Sequence, residues 1–492
     1  MQAIIGIDIG TTNTKAVAFT KEGNTIASAN AGYQTFSEKS GYSELRVADI
    51  LNAVVSVLKK ILSDTKPLSE IAGIGFSCAM HSMMVIDNNG EPLTNIMTWA
   101  DLRSANEAAK LKNTEIGNQV YERCGTPIHA MSPLCKILWL KNNEPDIFSR
   151  AFKFIGIKEY LWHQFFDKYQ IDYSIASATG MFDIYEFKWN EQALKFAEIS
   201  NDKLSEPVEP THIETILTKK YQEEFQLNNI PFIIGSSDGC LANLGSGAIQ
   251  EGETSLTIGT SGALRMASIK PKHDPQQRIF NYILTKDLYI SGGATNNGGA
   301  VVQWYVNHFC SQSSLTEKEY AEKTKMIDDV SAGSGGLICL PYLFGERAPI
   351  WDANAKAVFF GINSKHQQKH FLRSIIEGIS FSMNQVGISL EETIGPIKRI
   401  YASGGFIQSK TWLQIIADVF NKEVNVLSVS DASAIGAAIM GMKAVAMINE
   451  FDEVTKTFCV EEKFFPNAEN NKIYKETINR FTSLYNKLKD EF

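Results

Sequence analysis

Two glycine-threonine turns in this chain suit the binding of phosphate. One lies at Gly10–Thr12 in the segment GIDIGTTNTK, and the other lies at Gly259–Ser261 in LTIGTSGALR. Glycine lets backbone N–H groups approach phosphate oxygens, the hydroxyls add donors, and Lys15 adds a positive charge. Either turn alone is common in β-hairpins, so the repetition favours phosphate binding. Neither segment fits a P-loop or a dinucleotide fingerprint, which predicts that a bound nucleotide is held by another fold.

An aspartate stands just before the first turn. Asp8 would repel a bound phosphate unless a cation lay between them, and Mg²⁺ prefers oxygen ligands of this kind. We therefore expect Asp8 to serve a magnesium and phosphate region, either directly or through water on the metal. The alternative is a carboxylate that accepts hydrogen bonds from its own turn.

A second aspartate could act as a general base. Phosphoryl transfer to an alcohol needs little covalent chemistry, but it requires a group that accepts the hydroxyl proton. Asp238 in GSSDGC follows a predicted buried strand, has small neighbours and precedes the second turn. The local alternative is an ordinary Asp-Gly turn. Neighbouring Cys240 is interpreted as a small packing residue, because no Cys-His pairing is visible.

Alternating strands and helices must position these residues. Each glycine-threonine turn lies between two predicted strands, so the two halves of the chain begin alike. The apolar spacing in VADILNAVVSVLKKIL predicts a helix after the first strands, and residues 106–225 read as a mostly helical insertion. The strand IPFIIGSS is expected to run into a polar turn. A boundary is predicted near residues 245–250, which gives domains of residues 1–246 and 247–492.

Composition excludes several classes of protein. The 492 residues include 47 basic and 55 acidic ones, interspersed to a net charge of −8, so we expect no nucleic-acid partner. The 7 cysteines are scattered, which argues against a disulfide framework or a structural zinc site. We find no signal peptide, and segment 432–448 is small-residue-rich and interrupted by Lys443, as in a buried helix. A cytoplasmic protein with no membrane contact is expected.

Five segments, in order, resemble the motifs of the FGGY family of carbohydrate kinases, in the superfamily of sugar kinases, heat-shock chaperones and actin. They are GIDIGTTNTKAVAF, GSSDGCLANLG, LTIGTSGALR, LPYLFGERAPIWDANAKAVFFGI, and RSIIEGISFSM with YASGGFIQSKTWLQIIADVF. The resemblance implies an α/β protein with the two-domain actin-like ATPase (ribonuclease H-like) fold and a cleft between the domains. The N-terminal domain would bind the sugar, and the C-terminal domain would hold most of ATP with Mg²⁺.

The resemblance also implies roles for individual residues. Asp238 would be the catalytic base, and Asp8 would serve the metal. The residues that would contact the nucleotide are Asp8, Thr11, Thr12, Lys15, Gly259, Thr260, Gly299, Gln303, Gly404, Gly405 and Ser409. Phe406 is a departure, because many relatives have a third glycine there.

Within the family, CAMHSMMVID, TWADLRS and ERCGTPIHAMSPLCKILWLK are most similar to gluconokinases. Xylulokinases resemble the first two segments but usually carry an Asn-Ala sequence where this chain has Gly239 and Cys240. The resemblance implies phosphorylation of D-gluconate to 6-phosphogluconate, with D-xylulose or another polyol as the alternative. The sugar contacts that it implies are His81, Trp99, Asp101 and Arg103.

Gluconate carries a carboxylate, so its pocket should contain a cation, for which Arg103 and His129 are the candidates. Three alternatives stay open. His129 could cap a turn, Arg103 could pair with a structural carboxylate, and Trp99 could belong to the core.

A non-catalytic ATP-binding module with the same fold is the alternative of a different class. Chaperones of that kind carry a separate peptide-binding domain, for which the polar segment KIYKETINRFTSLYNKLKDEF leaves no room. The Asp238 loop favours catalysis. Because many relatives are dimers, a homodimer is a further expectation from the resemblance.

Overall fold

The computed structural model describes residues 2–227, 229–310, 324–428 and 431–492. A six-stranded sheet forms the centre of the N-terminal domain. The strands of this domain are β1 (Gln2–Ile9), β2 (Asn13–Thr20), β3 (Thr25–Gly32), β4 (Glu44–Leu45), β5 (Glu70–Cys78), β6 (Met84–Ile86), β7 (Ile96–Met97), β8 (Lys153–Ile155), β9 (Gln170–Asp172), β10 (Phe182–Asp183), β11 (Lys188–Trp189), β12 (Glu206–Val208), β13 (Ile213–Glu214) and β14 (Phe232–Ser237). The sheet order is β13-β14-β5-β1-β2-β3.

Helices cover both faces of this sheet, which explains why β1 is a nearly continuous apolar run. The helices are α1 (Val47–Thr65), α2 (Ala105–Leu111), α3 (Glu115–Cys124), α4 (Pro133–Asn143), α5 (Pro145–Arg150), α6 (Ile157–Phe166), α7 (Tyr173–Ser177), α8 (Glu191–Ala197), α9 (Lys219–Phe225) and α10 (Asp238–Gly245). The predicted insertion, residues 106–225, is mostly helical but also contains β8 to β13.

A seven-stranded sheet forms the centre of the C-terminal domain. Its domain contains β15 (Glu253–Ile258), β16 (Gly262–Ser268), β17 (Phe280–Thr285), β18 (Leu288–Thr295), β19 (Ile338–Pro341), β20 (Ala357–Phe360), β21 (Arg399–Ser403), β22 (Glu423–Leu427) and β23 (Val460–Phe464). The sheet order is β17-β18-β16-β15-β21-β22-β23. Its helices are α11 (Gly299–Tyr305), α12 (Gln368–Thr393), α13 (Lys410–Phe420), α14 (Ala432–Ala444), α15 (Asp452–Thr455) and α16 (Ala468–Leu488).

The two sheets share one topology. In the first, β1, β2 and β3 are antiparallel, and β5 and β14 follow in parallel beside β1. In the second, β15, β16 and β18 are antiparallel, and β21 and β22 follow in parallel beside β15. The prediction that both halves begin alike is therefore confirmed at the level of strand order. The predicted α/β fold with two domains is confirmed as well.

Helix α14 belongs to the second half of the chain but packs on β1, β5 and α10 of the first. Glycines allow the close approach. A Cβ atom added to Gly6 would lie 1.9 Å from the carbonyl oxygen of Ala434, and one added to Gly75 would lie 2.2 Å from that of Ala437. The expectation of a buried helix in the segment 432–448 is confirmed over α14, and this helix joins the second half of the chain to the N-terminal sheet.

One local expectation differs from the structure. The segment after β14 was expected to be a polar turn, but α10 begins directly at Asp238. Ser237 is the N-cap, since its side chain accepts a hydrogen bond from the N–H of Cys240 at 3.4 Å. Cys240 is fully buried, as a packing residue should be.

Candidate active site

Two carboxylates lie at one edge of the N-terminal sheet. Strands β1, β5 and β14 run parallel, and their register pairs Asp8 with Ser77 and Ser237 with Cys78. Because the carboxyl ends of parallel strands meet at the same edge, Asp8 and Asp238 face one end of the sheet. The Oγ of Ser77 donates a hydrogen bond of 2.7 Å to Oδ1 of Asp8.

Negative charge is unfavourable at both carboxyl groups. The pKa of Asp8 is raised to about 7, first by burial and then by repulsion from Asp238, while the hydrogen bond from Ser77 opposes the rise. Burial also raises the pKa of Asp238, against the attraction of Arg265. A carboxylate with a raised pKa is a stronger proton acceptor than an exposed one, which suits a general base.

The start of α10 fixes the Asp238 side chain. Its Oδ1 accepts a hydrogen bond of 2.7 Å from the N–H of Gly239. The buried Lys158 donates 2.9 Å to the carbonyl oxygen of Ser236, two residues earlier, and forms an ion pair of 2.7 Å with Asp172. The carboxylate at 238 is therefore held at a fixed strand-to-helix junction.

The first glycine-threonine turn has the predicted hairpin geometry. The N–H of Gly10 donates 2.9 Å to the carbonyl oxygen of Asn13. Thr12 is exposed and Thr11 is partly buried, so both hydroxyls are accessible. Lys15 lies opposite Asp8 in the strand register, which brings its charge back toward the turn as expected.

The second turn contacts the start of α11. The N–H of Gly299 donates 2.6 Å to the carbonyl oxygen of Gly259, and the N–H of Gly298 donates 3.2 Å to that of Thr260. Gly259 and Thr260 are exposed, and so is Gln303 one turn into α11. The structure thus brings these four predicted nucleotide contacts, Gly259, Thr260, Gly299 and Gln303, into one surface region.

The predicted adenosine residues follow β21, which runs parallel to β15. Their adjacent ends bring Gly404 beside the second turn, and a Cβ atom at Gly404 would lie 2.5 Å from the carbonyl oxygen of Ile258. Gly404 has a φ of 96°, which favours glycine. Gly405 is exposed, and Ser409 caps α13. Phe406, the departure from the family pattern, is buried.

His81 joins the two domains. Its Nε2 lies 3.2 Å from the hydroxyl of Tyr282 on β17, and its Nδ1 lies 2.7 Å from the carbonyl oxygen of Ala178. Burial and the nearby Lys136 lower the pKa of His81 to about 3. The ring is therefore neutral, with Nδ1–H donating to the carbonyl and Nε2 accepting from the tyrosine.

Trp99 is half-buried and lies against an arginine from the other domain. The guanidinium carbon of Arg347 lies 4.5 Å from the centre of the Trp99 ring, a distance typical of a cation–π contact. Trp99 is absent from the buried core of the described residues, so the core alternative is not what the structure shows.

Arg103 and Asp101 bind each other. The Nε of Arg103 donates 2.8 Å to Oδ1 of Asp101, its Nη2 contacts Oδ2 at 2.8 Å, and Nη2 also contacts Glu44. The guanidinium stacks on Tyr42 at 3.8 Å and lines an outer groove with Trp139. These contacts match the alternative of a structural ion pair.

His129 is buried and neutral. Its Nδ1 accepts a hydrogen bond of 3.2 Å from the N–H of Met131, which matches the turn-capping alternative. Burial, with Arg347 as the next cause, lowers the pKa of His129 to about 3. The ring can offer a hydrogen bond from Nε2 but supplies no positive charge at neutral pH.

Sequence reasoning missed three basic residues, Lys136, Arg265 and Arg347, which lie near His81, Asp238 and Trp99. Lys136 is fully buried and donates to the carbonyl oxygens of His81 at 2.6 Å and Thr98 at 2.7 Å. Arg265 and Arg347 reach the pocket from the second half of the chain. The available signals were a lone arginine in the apolar strand GALRMAS, which is Arg265, and the arginine of GERAP, which is Arg347. Neither signal shows which residues lie near that arginine in space.

Asp8 and Asp238 suit a metal ion that takes its remaining ligands from substrate phosphates and water. Within the described part of the chain, no three His, Cys, Asp or Glu side chains form a metal cage. Asp8, with the nearby Asp238, offers the oxygen donors that Mg²⁺ takes when substrate phosphates and water complete its shell. The same described residues contain no helix with the length and apolar character that a membrane span requires.

Comparisons with known proteins agree with this architecture. Residues 3–245 match the N-terminal domain of the FGGY family of carbohydrate kinases, and residues 254–445 match its C-terminal domain. The gluconokinase of Bacillus licheniformis is 40% identical over 99% of this chain and 96% of its own length.

Two solved structures are equally similar in fold. The gluconate kinase and the ligand-bound xylulose kinase from Lactobacillus acidophilus each have a TM-score of 0.93 and 32% identity to this chain. Each alignment covers 99% of this chain and 98% of the other.

Two α/β domains of this kind, each of which matches a domain of a kinase family, define a carbohydrate phosphotransferase. The chain belongs to the FGGY family of carbohydrate kinases. Its co-substrate is ATP, and its other substrate is a small carbohydrate.

Proposed function

We propose that this chain is a gluconokinase, which transfers the γ-phosphoryl group of ATP to the terminal hydroxyl of D-gluconate. The observation that carries the proposal is Asp238, a partly buried carboxylate of raised pKa held beside Asp8 at the domain junction. The 40% identity to a gluconokinase over nearly the whole chain supports gluconate as the substrate.

Asp238 accepts the proton of the substrate hydroxyl as that oxygen attacks phosphorus. Its fixed position at the start of α10 orients the acceptor, and closure of the domains excludes water as a competing nucleophile. His81 and Trp99 contact the sugar. Asp101 and Arg103 bind each other, and Arg103 lines an outer groove, so we assign neither a direct contact with the sugar.

The two turns hold the phosphates of ATP from opposite sides. Gly10 to Thr12 and Lys15 act from the first domain, and Gly259, Thr260 and Gly299 act from the second. Gln303, Gly404, Gly405 and Ser409 line the rest of the nucleotide site. Asp8 would hold Mg²⁺, which when bound would offset the charge of the phosphates. The division into a sugar domain, residues 1–246, and a nucleotide domain, residues 247–492, follows from this arrangement.

A xylulokinase is the second candidate, because the xylulose kinase structure matches the fold as well as the gluconate kinase does. The overall fold therefore does not choose the sugar. The two arginines Arg265 and Arg347 favour an acidic substrate, whereas burial lowers the pKa of Lys136 to about 7. The alternative of a non-catalytic module is not favoured, since both domains match a family of kinases. The homodimer and the cytoplasmic location stay predictions.

The test is a coupled assay of ADP release with purified protein, ATP and Mg²⁺. D-gluconate, D-xylulose, glycerol and a sample without sugar are compared. The proposal expects turnover with gluconate well above the other three. Preferred turnover of xylulose or glycerol would contradict gluconate while leaving Asp238 as the base. ADP release that no sugar stimulates would contradict a carbohydrate kinase altogether.

A further inference from the structure

Resting on the proposed function, we propose that Arg265 and Arg347 together bind the carboxylate of an open-chain sugar acid and so select it over neutral sugars. Both arginines come from the C-terminal domain, whereas His81, Trp99 and Asp238 come from the N-terminal domain. The pair would therefore contribute to the pocket only when the two domains are together.

Arg265 lies against the start of α10. A Cβ atom added to Gly239 would lie 2.8 Å from Cε of Met80, 3.1 Å from Nε of Arg265 and 3.2 Å from its Nη2. The absence of a side chain at position 239 therefore makes room for both Met80 and the guanidinium. Arg265 pairs with Gly292 of β18, where a second glycine lies beside it. Two glycines thus leave space for one long cationic side chain.

The guanidinium of Arg265 has unused donors. Its Nε is buried without a hydrogen-bond partner. Among the described residues, no hydrogen bond or ion pair involves this side chain, although Asp238 is close enough to favour its charged form. A buried donor without a partner is costly, and a ligand oxygen would satisfy it.

Arg347 shows the same deficit. It is 8% exposed, its Nη2 donates 3.1 Å to the carbonyl oxygen of Thr295, and its Nε has no partner. The neighbouring Glu346 does not neutralise it through a side-chain ion pair, because that carboxylate accepts hydrogen bonds from Thr295, Asn296 and the backbone of Arg347. One face of the guanidinium lies on Trp99, which leaves its edge for a ligand.

The two cations share one neighbourhood, because Arg347 donates to the carbonyl oxygen of Thr295 at the end of β18 and Arg265 lies opposite Gly292 of the same strand. Burial lowers the pKa of Arg347 to about 10, and the charge of Arg265 contributes to the lowering. Both guanidinium groups also act on the hydroxyl of Tyr282. Two like charges in a buried region repel each other, and a carboxylate placed at them removes that repulsion with charge-assisted hydrogen bonds.

The position of Arg265 along β16 suits a contact with the end of the sugar that is remote from the phosphates of ATP. The second phosphate turn ends at Ser261, and Arg265 lies four residues beyond it, about 13 Å along an extended strand. A sugar acid could then direct its carboxylate to the arginines and its terminal hydroxyl to Asp238. A neutral sugar would leave the donors without a charged partner.

The test compares D-gluconate with D-gluconamide, which keeps the hydroxyls but lacks the charge. Arg265→Met and Arg347→Met should each raise KM for gluconate and lower the ratio of kcat/KM for gluconate to that for gluconamide by ~10- to 100-fold, as expected for charged hydrogen bonds. Arg265→Lys should recover part of the ratio. Arg480→Met removes an exposed arginine of α16 and serves as the matched control.

Gly239→Ala provides an independent variant, because its added Cβ atom would displace the guanidinium of Arg265. It should lower the same ratio without removing a charge. Equal losses of kcat on both substrates would overturn the proposal and assign Arg265 to the transition state. An unchanged ratio in the folded variants would overturn it as well. Wild-type preference for a neutral sugar over gluconate would overturn the proposed function together with the arginine pair.

Discussion

The Nζ atom of Lys15 lies 2.6 Å from Oδ1 of Asp431, so an ion pair joins the first phosphate turn to the start of α14. Lys15 belongs to β2 of the N-terminal domain. Asp431 immediately precedes α14, the helix of the C-terminal half that packs against the N-terminal sheet. The cation predicted to serve the phosphates is thus also a link between the two halves.

Lys15→Met should weaken ATP binding more than it weakens the fold. The two side chains are 34% and 29% exposed, so solvent screens the pair and its loss should lower the free energy of unfolding by less than about 1 kcal/mol. We expect KM for ATP to rise ~10-fold, since one phosphate contact is removed. Lys60→Met breaks the exposed Lys60–Asp64 pair and is the control. Equal KM values in the two variants would contradict a phosphate role for Lys15.

Asp238→Asn should lower kcat by ~100- to 10,000-fold, because an amide cannot accept the hydroxyl proton. The affinity for ATP, measured by titration calorimetry, should stay within threefold of the wild-type value. Asp287→Asn changes an exposed aspartate and is the matched control. Turnover of Asp238→Asn near the wild-type rate would remove Asp238 from the role of base.

Activity should increase as the pH rises through neutrality. The pKa of Asp8 is raised to about 7 and that of Asp238 is raised as well, so protonation at lower pH removes both the proposed metal ligand and the proposed proton acceptor. The measurement is kcat/KM for ATP from pH 5 to 8.5 at saturating gluconate. A flat profile over this range would show that neither carboxyl group limits the reaction.

Asp8→Asn should abolish activity but stabilise the metal-free fold at pH 8. The pKa of Asp8 is raised in the folded protein, so the folded state binds the proton more tightly than the unfolded state. Ionisation of Asp8 therefore lowers the stability of the folded state. This loss is absent below about pH 4, grows as the pH rises to about 7 and is complete above it. We expect Asp8→Asn to raise Tm at pH 8 by a few degrees and to leave it nearly unchanged at pH 4. A lower Tm at pH 8 would contradict this account.

Lys136→Met should damage the sugar pocket without touching the nucleotide site. The variant leaves the carbonyl oxygens of His81 and Thr98 without their buried donor, which should cost about 2–3 kcal/mol of unfolding free energy. Because both carbonyls belong to segments that carry proposed sugar contacts, KM for gluconate should rise while ATP affinity is retained. Lys141→Met, on the partly exposed end of the same helix, is the control. Unchanged KM for gluconate would show that Lys136 supports the fold alone.

Much of the fold and part of the site could be predicted from local sequence. Apolar runs that end in glycine and threonine predicted the strands β1 and β15 and their turns, because strand and turn geometry depend on neighbouring residues. The small residues of α14 likewise predicted a closely packed helix. The start of α10 was not predicted, because Ser237 and Asp238 suit a helix cap and a turn equally well.

The sequence by itself determined the family, the two glycine-threonine turns and the candidate base at Asp238, since each is a contiguous pattern. Tertiary structure alone decided which charges face the sugar. Arg103 stands within a predicted substrate motif, yet its partner Glu44 is 59 residues away and holds it in the wall of another groove. Arg265 and Arg347 stand in the other half of the chain, yet packing of the two domains brings them to Trp99 and Asp238. The end point of a long side chain depends on the strands that surround it, and spacing along the chain does not contain that information.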